Sequence, residues 1–515
     1  VGVDLPARVV ETHSALVFFV GDRVYKMKKP VDLGFLDFST RAGREAACHA
    51  EVDLNRRLAP DAYLGVIDVL GLDGLPAEHL VVMKRMPEDR RLALLVGDRS
   101  PEAVADVEAG LRAIAHRLAA LHEASSPDSE HDRLAGPTAL RARWLAGFDQ
   151  LADAPPELRD PERDDRIEEL VVRYLDGRCE LFDHRIRKGR IRDGHGDLLA
   201  EDIFLLPEGP QILDCLEFAE EYRWGDILLD AAFLAMDLER LGRPDLGERF
   251  LALHREHSND RWPPSLAHHY LAYRAHVRAK VGVLRAEQAG TGIDADTEAL
   301  FAIALGHLEA GRVRLTLVGG APGTGKSTLA EDLADRVGAV VLHTDEVRER
   351  RGAMGDYRNG TVHDTYEQLF AEARRLLALG EQVIIDATFR DPAQRRAARD
   401  LARRTNAELI ELRCVLPVEQ AAERVEARLA ARASSAAGHP SAGTPPESGH
   451  GSGTGRGAQT LTRRNRSEAT PDVARRLAAE FAPWPEAIEL DTTAPPNAVA
   501  DQAGAAWADT RCARV

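Results

Sequence analysis

Lysine is almost absent from this 515-residue chain: seven lysines, at 26, 28, 29, 84, 188, 280 and 326, stand against 60 arginines. Arginine pairs through a planar, permanently charged fork, whereas lysine is a compact point charge. The few lysines therefore repay inspection. Three fall in Val24-Tyr25-Lys26-Met27-Lys28-Lys29-Pro30 and one in a glycine-rich loop. Cysteine is equally scarce. Cys48, Cys179, Cys215, Cys414 and Cys512 form no CxxC pair, which excludes a disulfide framework and a cysteine zinc site and fits a reducing compartment. No apolar run approaches the roughly 18 residues of a membrane span. Val1-Gly2-Val3-Asp4, with Glu11 ahead of the first apolar run, does not read as a signal peptide. A cytoplasmic protein without a membrane partner is expected. Positive charge is in deficit: 67 basic against 84 acidic residues give −17. That balance excludes a general electrostatic drive toward nucleic acid or anionic lipid and leaves room only for a local basic groove.

What is present suffices for large cores: 44% of residues are apolar and 29% charged, which rules out global disorder and collagen. At roughly 100–200 residues per domain the length suggests about three folded units. Ala15–Val20, Gly21-Asp22 and Arg23–Lys26 read as a hairpin. A helical pattern follows over 41–58, and 79–86 reads as a strand. From about 101 to 182 the pattern is helical, with Leu111, Ile114, Ala115, Leu118 and Leu121 at three- and four-residue spacing. Short strands are expected at 203–206 and 211–214, and helices from 227 to about 310. A small β-rich lobe (1–90) before a helical lobe (91–310) is the layout of a bilobal, kinase-like α+β fold. From 311 to 515, strands at 314–318, 339–342, 382–385, 408–416 and 487–490 alternate with helices, which predicts an α/β domain with a parallel sheet. Residues 431–460 contain no Val, Ile, Leu, Met, Phe, Trp or Tyr. Such a stretch cannot offset its ordering entropy and reads as a flexible insertion.

Gly320-Ala321-Pro322-Gly323-Thr324-Gly325-Lys326-Ser327 matches the phosphate-loop pattern at every fixed position, after a strand and before a helix starting near Thr328. Gly320, Gly323 and Gly325 let backbone N–H groups, including those of Thr324 and Thr328, converge on phosphate oxygens at a helix N-terminus. Lys326 would reach the β/γ-phosphates and Ser327 would ligate Mg²⁺. Asp386, closing Val383-Ile384-Ile385-Asp386, sits where ligands collect in open α/β sheets and can hold the metal through water. Asp345 ends Val340–Asp345 and can orient or deprotonate an acceptor hydroxyl, or simply cap a helix. Arg424, Arg428 and Arg432 share a helical face. They suit a lid over the transferring phosphate or, with Glu423 and Glu426, a solvated face.

A second constellation lies earlier. Gly194-His195-Gly196-Asp197 is followed by Asp202 and then Ile212-Leu213-Asp214-Cys215-Leu216-Glu217. Phosphoryl transfer to a hydroxyl needs a base and metal-holding carboxylates. Asp197 fits the base, Asp214 the main metal ligand and Asp202 the second. The alternative is a loop braced by His195 and Asp197 without chemistry.

The 312–500 region resembles the small P-loop kinases, a group that includes gluconate kinase-like, zeta-toxin-like and polynucleotide 5′-kinase-like proteins. It does so through the Gly320–Ser327 loop, Thr344-Asp345-Glu346-Val347-Arg348 and Asp386-Ala387-Thr388-Phe389-Arg390. That resemblance implies Asp345 as acceptor-side base, with Arg348 and Arg390 near acceptor or phosphate. The earlier region is similar to the aminoglycoside phosphotransferase-like, choline kinase-like branch of the protein-kinase fold. The His195–Asp202 loop, the Asp214–Glu217 segment and Trp224-Gly225-Asp226-Ile227-Leu228-Leu229-Asp230-Ala231-Ala232 carry the likeness. It implies Lys26 as the lysine gripping α/β-phosphates and Glu51 as its helix partner, with Lys28 and Glu45 as alternatives. It also implies that Asp226 braces the catalytic loop and that the 80–86 strand is the hinge. Asp202 replaces the usual Asn, and Ile227 the usual Pro. The pairing resembles bacterial fusions of an aminoglycoside phosphotransferase-like domain with a P-loop kinase domain.

The leading expectation is a bifunctional kinase using ATP and Mg²⁺ on small-molecule hydroxyls of a sugar, aminosugar or aminocyclitol. The acidic balance favours a cationic acceptor. One catalytic half with a nucleotide-sensing regulatory half is the alternative, and a nucleic-acid 5′-end kinase in the P-loop half a third. His13, His343 and His363 read as cap or surface groups, Trp484 as a packing anchor, and Leu-rich 91–96 as core.

Overall fold

The computed structural model describes residues 7–12, 14–32, 36–350, 352, 358–437 and 469–509. It divides into two compact units, Val1–Leu175 with Cys179–Gly311, and Asp176–Arg178 with Arg312–Val515.

The first unit opens with an antiparallel sheet of β1 (Ala7–Glu11), β2 (Ala15–Val20), β3 (Arg23–Lys28), β4 (Tyr63–Leu70) and β5 (Pro76–Lys84), in the order β1-β2-β3-β5-β4. Gly21, at φ 60°, makes the tight turn that sets Val20 opposite Arg23. β1 and β4, both at the sheet edges, go beyond the expected hairpin. Side chains two apart on a strand share a face, so Lys26 and Lys28 point the same way from β3. The Arg41–Asn55 helix, capped by the Thr40 hydroxyl on the Gly43 N–H, buries Cys48 and Val52. They join Tyr63 and Val81 in one core with Phe204 and Leu213.

Helices at Pro101–Ala124, Pro137–Ala152, Pro161–Gly177, Pro244–His257, Pro264–Ala289 and Ala295–Ala310 follow the apolar spacing of the sequence. Among them the Ile227–Arg240 helix is buried at every position from Ile227 to Leu238. Short strands β6 (Ile191–Asp193), β7 (Ile203–Leu206), β8 (Gly209–Ile212) and β9 (Trp224–Asp226) pair as β6–β9 and β7–β8. β8 ends two residues before Asp214, which was expected to close the strand and instead adopts a left-handed φ of 63°. Leu92 and Val96 are buried, as a core reading of 91–96 requires, while Leu94 faces solvent.

The second unit is a parallel sheet of β10 (Arg314–Gly319), β11 (Val340–His343), β12 (Val383–Asp386), β13 (Glu408–Val415) and β14 (Ile488–Asp491), ordered β11-β12-β10-β13-β14. Val318, Ile384, Ile410 and Leu412 pack with Leu329, Ala330 and Leu333 of the Lys326–Val337 helix. The Val418–Ala437 helix leads into the stretch expected as an insertion; from residue 438 that stretch lies outside the described residues, as do His13 and Cys512.

Trp484 is a packing anchor. It is 2% exposed, its indole N–H donates to Glu411 Oε1 at 3.3 Å, and the Arg395 guanidinium lies 4.7 Å from its ring. A Cβ on Gly319 would stand 2.2 Å from Trp484 Cζ3. Gly319→Ala is therefore expected to destabilise this unit by about 1–3 kcal/mol through overpacking, read as a lowered urea midpoint of Trp fluorescence. An unchanged midpoint would contradict this packing.

Candidate functional site

In the first unit the sheet delivers Lys26 and the Arg41–Asn55 helix delivers Glu51 to one point. Lys26 Nζ lies 3.0 Å from Glu51 Oε1 and 2.6 Å from Asp214 Oδ1. Lys28 also pairs with Glu51, at 2.7 Å, and with Glu217. Both lysines named as candidates thus reach the same glutamate, but only Lys26 meets the expected metal carboxylate. Burial opposes charge on Lys26, yet Asp214 and Glu51 outweigh it and hold its pKa well above the usual lysine value. Burial likewise opposes charge on Glu51, and Lys26 and Lys28 keep it ionised. Glu45, the fallback, sits 3.5 Å from His79 instead.

The Asp214 turn is fixed from three sides. Its N–H donates to Tyr63 Oη (3.2 Å), the Cys215 N–H to Asn55 Oδ1 (2.8 Å) and the Leu216 N–H to the His195 carbonyl (3.1 Å). The buried His195 ring meets the Leu213 carbonyl through Nε2 at 3.0 Å, so it ties the Asp197 loop to the Asp214 segment rather than bonding Asp197. The brace of that loop is not Asp226, as the resemblance implied. Asp230 accepts the N–H groups of His195 and Gly196, both at 2.9 Å, and His122 Nε2 at 2.9 Å. The reason is helical geometry. Asp226 is the N-cap, bonded to the Leu228 N–H and to Arg185, whereas Asp230 lies one turn on, and helical side chains lean back toward the N-terminus. A Cβ on Gly194 would meet Asp230 Oδ2 at 2.5 Å, so glycine permits that approach.

Asp197 is left with its carboxylate open to the cleft, its side chain 36% exposed and 3.9 Å from Arg278. Desolvation raises its pKa to about 6, against the pull of Arg278 and with a further push from Asp214. Asp202 is raised more strongly, by burial and by the Asp214, Glu201 and Asp197 charges, while Lys26 holds Asp214 below its usual value. Mutual repulsion between Asp202 and Asp214 suits a cation between them. Among the described residues no three His, Cys, Asp or Glu side chains form a self-sufficient metal cage. Mg²⁺ needs only one or two carboxylates, completing its shell with phosphate and water. A base must be unprotonated, so transfer at this site is expected to fall tenfold per pH unit below about pH 6. A pH–rate profile in a Lys326→Ala background checks this; a flat profile from pH 7 to 5 would contradict Asp197 as the base.

In the second unit Gly320, Gly323 and Gly325 all take positive φ (142°, 88° and 88°). A Cβ on Gly323 would stand 2.2 Å from the Ala421 carbonyl, and one on Gly320 2.6 Å from that of Cys414. Lys326 Nζ donates to the Ala321 carbonyl at 3.0 Å, and Thr324 Oγ1 to the same oxygen at 2.8 Å. Ser327 Oγ donates to Asp386 Oδ2 at 2.6 Å, a hydroxyl–carboxylate pair suited to Mg²⁺. His343, expected as a cap or surface group, instead meets Asp386 at 3.0 Å; its place at the end of β11, beside β12, was the overlooked signal. Asp345 stands in the first turn of the Thr344–Arg350 helix, 3.1 Å from Arg348. A cavity of about 260 Å³ joins Lys326, Thr328, Asp345, Arg348, Arg424 and Arg428. Arg424 also donates to the Thr492 carbonyl at 3.0 Å. A larger cleft of about 1180 Å³ opens between the Asn359–Ala378 and Pro392–Arg404 helices, with Arg390 in its lining. His363, read as a surface group, lines that cleft and is largely exposed. Among the described residues no helix is long and apolar enough to cross a membrane.

Comparison with known proteins adds three kinds of likeness. The family described as "AAA domain" matches residues 315–441. Rv2004c of Mycobacterium tuberculosis and Mb2027c of Mycobacterium bovis are each 40% identical over 511 residues, covering 97% of this chain and 95% of theirs. Among solved structures, the GDP and kanamycin complex of APH(2")-IIia matches 60% of this chain and 94% of its own at 16% identity and a TM-score of 0.38. A choline/ethanolamine kinase family protein from Mesorhizobium loti matches 59% and 92% at 15% identity and 0.35. The Mycobacterium tuberculosis APS kinase CysC matches 38% and 99% at 16% identity and 0.27. The family match falls within the parallel-sheet unit.

Proposed function

The chain belongs to the family of the mycobacterial proteins Rv2004c and Mb2027c across nearly all its residues, and from that premise we propose that it is an ATP-dependent phosphotransferase with two active sites, each acting on a small-molecule hydroxyl. One observation carries the reading. Lys26 and Asp214, far apart in sequence, meet at 2.6 Å in the cleft into which Asp197 opens. A phosphate-gripping lysine, a metal carboxylate and a base without a hydrogen-bond partner are the parts that phosphoryl transfer requires.

Mg·ATP, when bound, supplies the γ-phosphoryl group and the charge-neutralising metal. The chain's own residues do the rest. Glu51 holds Lys26 toward the phosphates, and Tyr63 and Asn55 fix the Asp214 turn. Asp202 and Asp214 would hold the metal. Asp197 accepts the proton of the acceptor hydroxyl, whose oxygen bonds to phosphorus as the bond to the ADP oxygen breaks. In the P-loop half Lys326 and Thr328 line the phosphate cavity, Ser327 and Asp386 would hold the metal, and Asp345 is the acceptor-side carboxylate. Arg424 and Arg428 approach from the Val418–Ala437 helix, where they suit stabilisation of the transferring phosphate.

The test is acceptor-dependent ADP formation with Mg·ATP across neutral, acidic and amino sugars, using the intact protein, Asp197→Asn and Lys326→Ala. Two separable activities are expected. Failure of Mg·ATP to bind would remove the reading. A nucleotide-sensing role for the P-loop half is the second reading, and Arg424, tied to the β14 end through Thr492, favours it as a lever that phosphate binding could move.

A further inference from the structure

The Pro264–Ala289 helix presents Arg274 and Arg278, four residues apart and therefore on one face, to the Asp197 cleft. Arg278 lies 3.9 Å from Asp197 Oδ1, beyond hydrogen-bond range, and is 25% exposed. Arg274 is 8% exposed. Its Nε donates to the Leu229 carbonyl at 3.1 Å, and its guanidinium carbon lies 4.5 Å from the centre of the Phe233 ring. Its two terminal nitrogens have no acceptor among the described residues. The fork is not sealed from solvent, so it is open to an anion, which a guanidinium holds through paired N–H groups. The groups around it do not supply one. Tyr273 is neutral and Arg143 is a third cation, with one nitrogen on the Glu221 carbonyl. Asp230 is already filled by His122 and two backbone N–H groups. Asp197 is the other carboxylate acting on Arg274, and Glu201 and Asp214 bear on Asp197 rather than on Arg274.

We propose that the acceptor phosphorylated at the Asp197 site carries an anionic group, a carboxylate or a phosphate monoester, which Arg278 and Arg274 hold beside Asp197. This rests on the phosphotransferase reading of that site. It reverses the preference that the net charge of the chain suggested, because two guanidinium groups of one helix face, Arg278 and Arg274, act on the base. An ammonium group placed against Arg274 and Arg278 would be repelled. An anionic acceptor fills the Arg274 fork and leaves its hydroxyl within reach of Asp197. Carboxylate and phosphate present the same paired oxygens to a guanidinium, so the experiment separates them.

The experiment uses full-length Lys326→Ala protein saturated with a non-hydrolysable Mg·ATP analogue. Inorganic phosphate, acetate and methylammonium are titrated calorimetrically. Glucose, glucosamine, glucuronate and glucose 6-phosphate are then compared as acceptors with Mg·ATP. At least one anion is expected to bind, methylammonium not to bind, and the matching anionic sugar to have the highest kcat/KM. Arg278→Ala is expected to weaken anion binding about 10- to 100-fold, the range for a charged hydrogen bond. Arg278→Lys is expected to restore part of it, and Arg278→Glu to shift preference toward glucosamine. Analogue affinity in each variant reports that the cleft is folded. A residue that only neutralised Asp197 would change kcat equally for all acceptors. Equal anion binding in Arg278→Ala, absence of anion binding, or a preference for glucosamine in the starting protein would overturn the proposal while leaving the phosphotransferase reading intact. Loss of Lys26-dependent analogue binding would instead overturn that reading.

Discussion

Asp197→Asn is expected to lower phosphoryl transfer in the first unit by about 10²- to 10⁴-fold, the range for removing a positioned general base. The substitution keeps shape and volume, and Asp197 makes no hydrogen bond among the described residues; its ion-pair partner is Arg278 at 3.9 Å. Nucleotide affinity should therefore stay near the starting value, since Lys26, Glu51 and Asp214 are untouched. The measurement is single-turnover transfer from labelled ATP in the Lys326→Ala background, with analogue binding in parallel. A variant retaining a tenth or more of the activity would mean that another group takes the proton, and the cleft would need a different base.

The second large effect is expected from Lys326→Ala. A lysine reaching the β/γ-phosphates acts where charge develops, and losing one such group costs about 10²- to 10³-fold in turnover. Its resting contact, a single hydrogen bond to the Ala321 carbonyl of its own loop, makes the cost to folding small. ADP formation dependent on Asp345 and Asp386 should collapse. Activity dependent on Asp197 should persist, because its parts all lie in the other unit. If both activities vanish together, the P-loop unit regulates rather than catalyses, and the bifunctional reading gives way to the sensing one.

How legible these sites were in the sequence follows from how local they are. The phosphate loop is eight consecutive residues with glycine wherever φ is positive, so composition and spacing sufficed. The β2–β3 hairpin was legible for the same reason. β4 was not: Leu64, Ile67, Val69 and Leu70 are exposed on an edge strand, which erases the in–out alternation that marks a half-buried one. The alternatives of Lys26 or Lys28 could not be separated along the chain, because a two-residue period places both on one face. Asp214, arriving from far along the sequence, separates them. Asp226 and Asp230 posed the same problem on a helix, and the lean of helical side chains resolved it.

Taken alone, the order of residues determined that a phosphate-loop pattern and an aspartate-bearing His-Gly-Asp loop exist, on a parallel α/β sheet and on a kinase-like α+β scaffold, since each motif and each periodicity is written over a few neighbouring positions. Only the tertiary structure decided which lysine meets Asp214, which aspartate braces the Gly194–Asp197 loop, that His343 bonds Asp386, and that Arg278 stands beside Asp197. Those are encounters between distant segments. Their energies depend on separation in space and on exclusion of water, neither of which is a property of sequence distance.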